Sequence, residues 1–256
     1  MKNLLINFTK KKYFFSIIKK IFKRLEVDTS VEAKKWAKLN TKQTTEDFCK
    51  SIDSLLYDEV KSDTSFIEKE AKEKLSKLNV FFGGRGNYIL VYFLIRKFKL
   101  LNIVETGVAA GWTSLAILRA LKKNGKGNLY SSDFPYFRLP DPEKFIGILV
   151  PKHYKENWCL YIKGDENNIK EIKKKIKSVD LVHYDSDKTY NGRQNFIKMI
   201  SNLVHNQTFL IMDDLHNDSF FLDYVNKHKQ LNWKILNVNN YFIGLIYPDS
   251  FNSHLI

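Results

Sequence analysis

Five charged residues in two short runs carry the chain's most suggestive chemistry: Asp185, Asp187 and Lys188 in His183-Tyr184-Asp185-Ser186-Asp187-Lys188-Thr189-Tyr190, and the pair in Met212-Asp213-Asp214. Each run ends a short apolar stretch of β character. In a parallel sheet the carboxyl ends of such strands are neighbours on the ligand side. Three or four carboxylates gathered there repel one another unless a cation lies among them. Their hard oxygens favour Mg²⁺, Ca²⁺ or Mn²⁺ over zinc. The alternative is a set of loop acids and helix caps without metal. His183 and His216 stand singly near strand ends, where a histidine is more often structural than reactive.

A second group lies upstream, in Glu105-Thr106-Gly107-Val108-Ala109-Ala110-Gly111-Trp112-Thr113-Ser114. Gly107 and Gly111 allow a sharp backbone turn and close approach to a ligand. The open N–H groups of the helix that follows suit a carboxylate or phosphate, and Thr113 and Ser114 add hydroxyls. A dinucleotide loop would need G-x-G-x-x-G. Here Ala109 takes a glycine position, and the acid Glu105 at the strand end sits badly beside a pyrophosphate. It suits the cationic amino group of a methionine moiety instead.

Two further acids fall in register with this loop. Asp133 ends Tyr130-Ser131-Ser132-Asp133, where a carboxylate accepts hydrogen bonds from both hydroxyls of a ribose. Asp165, in Lys163-Gly164-Asp165, follows the next strand and is placed to meet an adenine amino group.

These residues require a scaffold of alternating strands and helices. Strands are expected at Asn102–Thr106, Asn128–Ser132, Trp158–Ile162, Asp180–Tyr184 and Phe209–Met212. Helices are expected at Thr113–Lys123, Ile169–Ile176, Asn191–Leu203 and Ser219–His228. Such alternation marks a parallel sheet with helices on both faces. The end breaks the rhythm: WKILNV and YFIGLIYP are separated only by Asn239-Asn240, a pair that tolerates a tight hairpin turn. The sheet should therefore finish with an antiparallel pair.

The first 79 residues read as a helical, basic extension, serving as a cap or oligomerisation arm, and residues 80–256 as the α/β domain. Ser30 caps one helix, Thr44 or Thr45 a second, and Asp63-Thr64 opens a third. Phe82-Gly83-Gly84-Arg85-Gly86-Asn87 is a flexible junction. The opening MKNLLINFTKKKYFFSIIKKIFKRL lacks a small-residue cleavage site and is not expected to be a signal peptide. As a helix it sets Phe14, Ile17, Ile18 and Phe22 near one face, which suits either a membrane surface or packing on the protein itself.

With 42 Lys+Arg against 28 Asp+Glu, the net charge is +14. That favours acidic partners such as nucleic acid, anionic lipid or phosphorylated sugars, or reflects only a lysine-rich surface. Cys49 and Cys159 form no CxxC pattern or Cys/His cluster, which argues against a disulfide framework and a structural zinc site and fits a reducing cytoplasm.

Taken together, ETGVAAGWTS, LYSSDFP, GD, HYDSDK and IMDD resemble the class I S-adenosylmethionine (SAM) dependent methyltransferases, in particular those with a "methyltransferase 24" type of domain. The resemblance spans roughly Val80 to Tyr247. It implies a Rossmann-like α/β sheet, mostly parallel with a C-terminal antiparallel hairpin. It implies that Glu105, Gly107, Ala109, Gly111, Thr113 and Ser114 line the methionine end of SAM. Asp133 would hold the ribose, Asp165 would lie near the adenine, and Asp185 would border the cofactor.

The acidic runs are similar to those of cation-dependent O-methyltransferases acting on catechols, caffeoyl thioesters and antibiotic sugars. That similarity implies Asp185, Asp213 and Asp214 as ligands of Mg²⁺ or another divalent cation. Lys188 falls where catechol-type enzymes carry a catalytic lysine, and Asp187 where sugar-modifying enzymes carry a catalytic aspartate. The Asp-Asp pair leans towards Asp187 and the sugar branch. Arg85 and Tyr190 are candidate contacts to the substrate or the SAM carboxylate.

The expected partner is a small-molecule or saccharide hydroxyl, with peripheral membrane contact through the basic N-terminus and homo-oligomer formation as further expectations. RNA methylation or binding, and a non-catalytic membrane-associated SAM-fold protein, are the rival readings. Base N-methylation is disfavoured, because Tyr184-Asp185-Ser186-Asp187 stands where an Asn/Asp-Pro-Pro-Tyr/Phe run belongs. No RNA-binding module motif is recognisable.

Overall fold

The apolar runs that read as strands do pair, and their register brings the candidate residues to one edge. The computed structural model describes residues 2–10, 13–14, 17–18, 28–78, 86–137, 139–238 and 241–254. In chain order the elements are helices α1 (Lys2–Thr9) and α2 (Ser30–Asn40), strand β1 (Thr41–Thr44), and helices α3 (Thr45–Ser76) and α4 (Tyr88–Phe98). The alternating part follows: β2 (Asn102–Thr106), α5 (Trp112–Asn124), β3 (Asn128–Ser132), β4 (Trp158–Tyr161), α6 (Asp165–Lys175), β5 (Leu181–Tyr184), α7 (Tyr190–Ile200), β6 (Phe209–Met212) and α8 (Phe220–Lys227). Strands β7 (Asn232–Val238) and β8 (Tyr241–Tyr247) close the sheet.

The described residues form an eight-stranded sheet in the order β1-β7-β8-β6-β5-β2-β3-β4. Strands β4, β3, β2, β5 and β6 run parallel, and β8 is antiparallel to both β6 and β7. The central strands are near-continuous apolar runs because helices cover both faces. On one face Phe48, Val60 and Ile67 of α3 join Leu94 of α4 and Ile117 of α5. On the other, Ile172 of α6, Phe196 of α7 and Phe221 of α8 pack together. The hairpin joins β7 to β8 as expected, while its Asn239-Asn240 turn lies outside the described residues.

Three expectations for the first 79 residues need correction. Ser30, expected as a cap, is the first residue of α2, whose cap position is Thr29 with no side-chain capping bond. Thr41–Thr44, read within a helical extension, is a strand paired in parallel with β7. The break expected at Asp63-Thr64 is absent, because α3 continues through both residues. Asp63 instead accepts a hydrogen bond from the Tyr92 hydroxyl at 2.7 Å and pairs with Lys123, which ties α3 to α4 and α5. The interruption falls at Asp53, with φ −164° and ψ 94°, whose side chain accepts from Leu56 N–H at 3.0 Å and so caps the second half. The cap at Thr44 is as expected, with Asp47 completing a capping box.

Near the N-terminus, Asn7 donates to the carbonyls of Phe137 and Leu139 at 3.0 and 2.9 Å. Ile17 packs with Tyr13 and Phe137, while Phe14 is exposed and Phe22 lies outside the described residues. Among the described residues no helix is long and apolar enough to cross a membrane.

Candidate active site

The turn from β2 into α5 is held on both sides by protein backbone. Gly107 N–H donates to the Ser132 carbonyl at 2.9 Å, and its φ of +81° is one that side chains resist. A β-carbon there would lie 2.3 Å from the Asp185 carbonyl oxygen. The glycine is thus required by the neighbouring strand end, in addition to the sharp turn and ligand approach that the sequence suggested. Ala109 also has positive φ, and its N–H donates to Asp133 Oδ2 at 2.8 Å. Gly111 occupies the cap position of α5. The Ala109 and Ala110 carbonyls accept from Gly147 and Leu149 at 2.9 Å, so the segment after β3 lies against this loop.

Glu105 is fully buried at the end of β2. One carboxylate oxygen accepts from Ser114 at 2.6 Å and from Ser131 at 2.8 Å, and the other, Oε1, has no partner. Burial pushes its carboxyl up to about 7, against the pull of Ser114 and of His183 on the adjacent strand. The unpartnered oxygen is a place for a cationic or donor group. Asp133 accepts from Phe134 N–H at 2.6 Å as well as from Ala109. Asp165 opens α6 and binds the hydroxyls of Ser132 at 2.5 Å and Ser186 at 2.7 Å, so it stitches β3 to the loop after β5.

The acidic runs meet as the parallel register demands. His183 Nε2 lies 3.3 Å from Asp213 Oδ2, with both side chains shielded from water. The Lys188 ammonium pairs with Asp185 and with Asp214, the latter at 2.9 Å. The Lys188 ammonium supplies positive charge that the convergence of carboxylates requires, and His183 adds to it when protonated. Burial works against ionisation of Asp213, but His183, Lys188 and Arg193 together hold that carboxyl below its ordinary value. Burial raises Asp185 despite Lys188. Burial also opposes the charge on Lys188, yet Asp185, Asp214 and Asp213 together hold its ammonium above the usual lysine range.

Asp187 points elsewhere: its carboxylate accepts from the Thr189 hydroxyl at 3.0 Å and lies against Gly192 in the first turn of α7. Tyr190 packs edge-on to Phe220. Arg85 lies outside the described residues.

Among the described residues, no three His, Cys, Asp or Glu side chains form a metal-ligand set, and the Lys188 ammonium pairs with both Asp185 and Asp214. The donor chemistry nonetheless fits a divalent cation. Asp185, Asp213 and Asp214 offer hard oxygens, and Asp213 Oδ1 is buried with no partner.

Three residues matter that the sequence did not single out. A β-carbon on Gly86, at φ +63°, would lie 3.0 Å from Thr113 Oγ1, 3.6 Å from Asp213 Oδ2 and 3.9 Å from Asp185 Oδ2. Gly86 therefore marks the point where the α5 terminus and the acidic runs face each other. Arg193 and Asp218 are both buried behind Asp213 and Asp214. No local motif announces that pair, which only the folded chain brings together.

Residues 104–215 match a family model described as a methyltransferase domain. Among solved structures, an O-methyltransferase from Bacillus cereus in complex with SAH is similar at 15% identity and TM-score 0.54, covering 72% of this chain and 90% of that one. A structure described as a putative caffeoyl-CoA O-methyltransferase from Staphylococcus aureus is similar at 15% identity and TM-score 0.56, covering 76% and 98%. These identities speak for the fold. In sequence, the chain is 25% identical over 159 residues to ribosomal RNA large subunit methyltransferase E of Methanosphaera stadtmanae, covering 60% of this chain and 76% of that protein.

Proposed function

We propose that this chain, a SAM-dependent methyltransferase by the domain at residues 104–215, methylates a hydroxyl of a sugar, polysaccharide or other small polyhydroxy metabolite with a divalent cation's assistance. The observation that carries the reading is the meeting of Thr113, Asp185 and Asp213 around Gly86, which sets the cofactor loop beside the carboxylates.

In this reading the N–H groups at the start of α5 and the Thr113 hydroxyl bind the carboxylate of the methionine moiety. Glu105 Oε1 takes its amino group, and Asp133 exchanges the Ala109 N–H for the ribose hydroxyls. Asp165 holds Ser132 and Ser186 beneath the nucleoside. Asp185, Asp213 and Asp214 would hold the divalent cation, with Lys188 yielding one of its partners. When bound, such a cation lowers the pKa of a coordinated hydroxyl. Lys188 carries its proton while it pairs with Asp185 and Asp214, and would accept the acceptor's proton only in the neutral amine form that a cation taking those carboxylates would favour, whereas Asp187 is engaged with α7. The sulfonium is already activated, so the remaining task is alignment.

Methyl transfer from labelled SAM to a panel of polyhydroxy acceptors, with Mg²⁺ or excess chelator, tests this directly. Asp185→Ala should abolish transfer while leaving SAM binding nearly intact. Normal turnover in that variant or in chelator would remove the metal from the reading.

The likeness to a ribosomal RNA methyltransferase, with the net charge of +14, supports a second reading in which the hydroxyl belongs to RNA. Salt-sensitive binding of RNA transcripts, with methyl incorporation into them, would favour it.

A further inference from the structure

We propose that Arg193 is a positioning residue: its guanidinium, held by Asp218, sets the turn that presents Asp213 and Asp214 to the site. The inference rests on the reading that these acids serve the methyl acceptor side.

Arg193 lies one turn into α7, the helix that begins directly after Asp185–Lys188, and its side chain is buried. Its Nε donates to Asp218 Oδ2 at 2.6 Å. Its Nη2 donates to two consecutive carbonyls, Asp213 at 2.9 Å and Asp214 at 3.1 Å. Asp218 is oriented in turn, because its other oxygen accepts from Phe220 N–H at 2.9 Å. The guanidinium also lies 5.7 Å from the ring of Tyr184, the residue before Asp185. One side chain thereby ties the loop after β5 to the loop after β6.

The turn it holds is one that the chain would not keep alone. Asp214 has a φ of +55°, a region that L residues other than glycine seldom adopt without support from their surroundings. With its carbonyl and that of Asp213 gripped by one planar fork, the Asp213 side chain reaches His183 and the Asp214 side chain reaches Lys188. A buried ion pair is weak evidence for stability in itself, since desolvation offsets its attraction. What Arg193 and Asp218 supply is geometry. Lysine keeps the charge but has no fork, so it would not bind Asp218 and both carbonyls in the same way.

Arg193→Lys separates the roles, and Asp218→Asn provides a second variant that loosens the guanidinium without touching α7. Three measurements are made on each full-length chain: SAH affinity by calorimetry, Mn²⁺ affinity by electron paramagnetic resonance, and a crystal structure. The expected result is SAH affinity within about twofold of wild type, Mn²⁺ affinity lowered tenfold or more, and loss of the positive φ at Asp214 with its Lys188 contact. A variant that keeps the turn and the Lys188–Asp214 pair overturns the inference, as does unchanged Mn²⁺ affinity where the wild type binds the ion. Failure of the wild type to take Mn²⁺ would sink the metal reading instead, and the crystal structures would then decide the role of Arg193.

Discussion

Gly107 lies directly against Asp185: the backbone of the cofactor loop meets the carbonyl that follows β5, with no room for a β-carbon, which would come within 2.3 Å of that oxygen. The two halves of the site are thus in rigid contact. Gly107→Ala should destabilise the chain by about 2–4 kcal/mol, combining the positive φ with overpacking against backbone. It should also weaken SAH binding. Denaturant unfolding and calorimetry measure both, and a neutral effect would show that the loop moves freely.

Glu105 gives stability a pH dependence. Its carboxyl is raised from an ordinary 4.5 to about 7 by burial, so the folded chain holds a proton that the unfolded chain releases. Stability from this group is therefore present below pH 4.5 and is lost as pH rises to about 7, amounting to roughly 3 kcal/mol. In Glu105→Gln that component should vanish, leaving a flatter Tm between pH 5 and pH 8. An unchanged slope would show that Glu105 is not its source.

Asp133 should serve the cofactor as well as the loop it holds through the Ala109 and Phe134 N–H groups. Asp133→Ala removes the acceptor of the Ala109 N–H and, in the proposed reading, of the ribose hydroxyls. Charged hydrogen bonds of this kind contribute about 1.5–3 kcal/mol each, so SAH affinity should fall at least tenfold. Mn²⁺ binding should be unaffected. Equal losses of both would point to a collapsed loop.

Lys188 should govern the rate. Positioned general bases contribute about 10²–10⁴-fold, and Lys188→Met should lose activity on that scale while retaining SAH. Its ammonium is opposed by burial but held above the ordinary lysine range by Asp185, Asp214 and Asp213. The proton-accepting form is therefore scarce at neutral pH and grows up to and beyond the ordinary lysine value of 10.5, so the wild-type rate should keep climbing with pH and show no plateau below it. The variant's profile should be flat. A Lys188→Met enzyme with wild-type turnover would return the role of base to Asp187.

Much of this architecture is legible locally. The five central strands and their helices fall within a few residues of the apolar periodicity that marks them, because parallel strands covered on both faces are mostly apolar. Thr44 announces its helix through a capping box that needs only its neighbours. By contrast, Thr41–Thr44 carries no apolar signal and becomes a strand only because β7 offers it an edge nearly two hundred residues later. Asp63 looked like a helix start and is a tether to Tyr92 and Lys123, since partners across the fold claim its carboxylate before its own backbone does.

The sequence by itself determined the alternating order of strands and helices, the glycine turn after Glu105, and which acids end β3, β5 and β6. Residue type and short-range spacing suffice for these, because strand period, turn conformation and helix entrance depend on a few consecutive residues. Tertiary structure alone decided that Lys188 lies between Asp185 and Asp214, that Asp187 turns to α7, and that Arg193 grips the Asp213–Asp214 turn. Those outcomes depend on competition among partners far apart in the chain, in a buried setting where each charge takes the counter-charge that packing brings within reach.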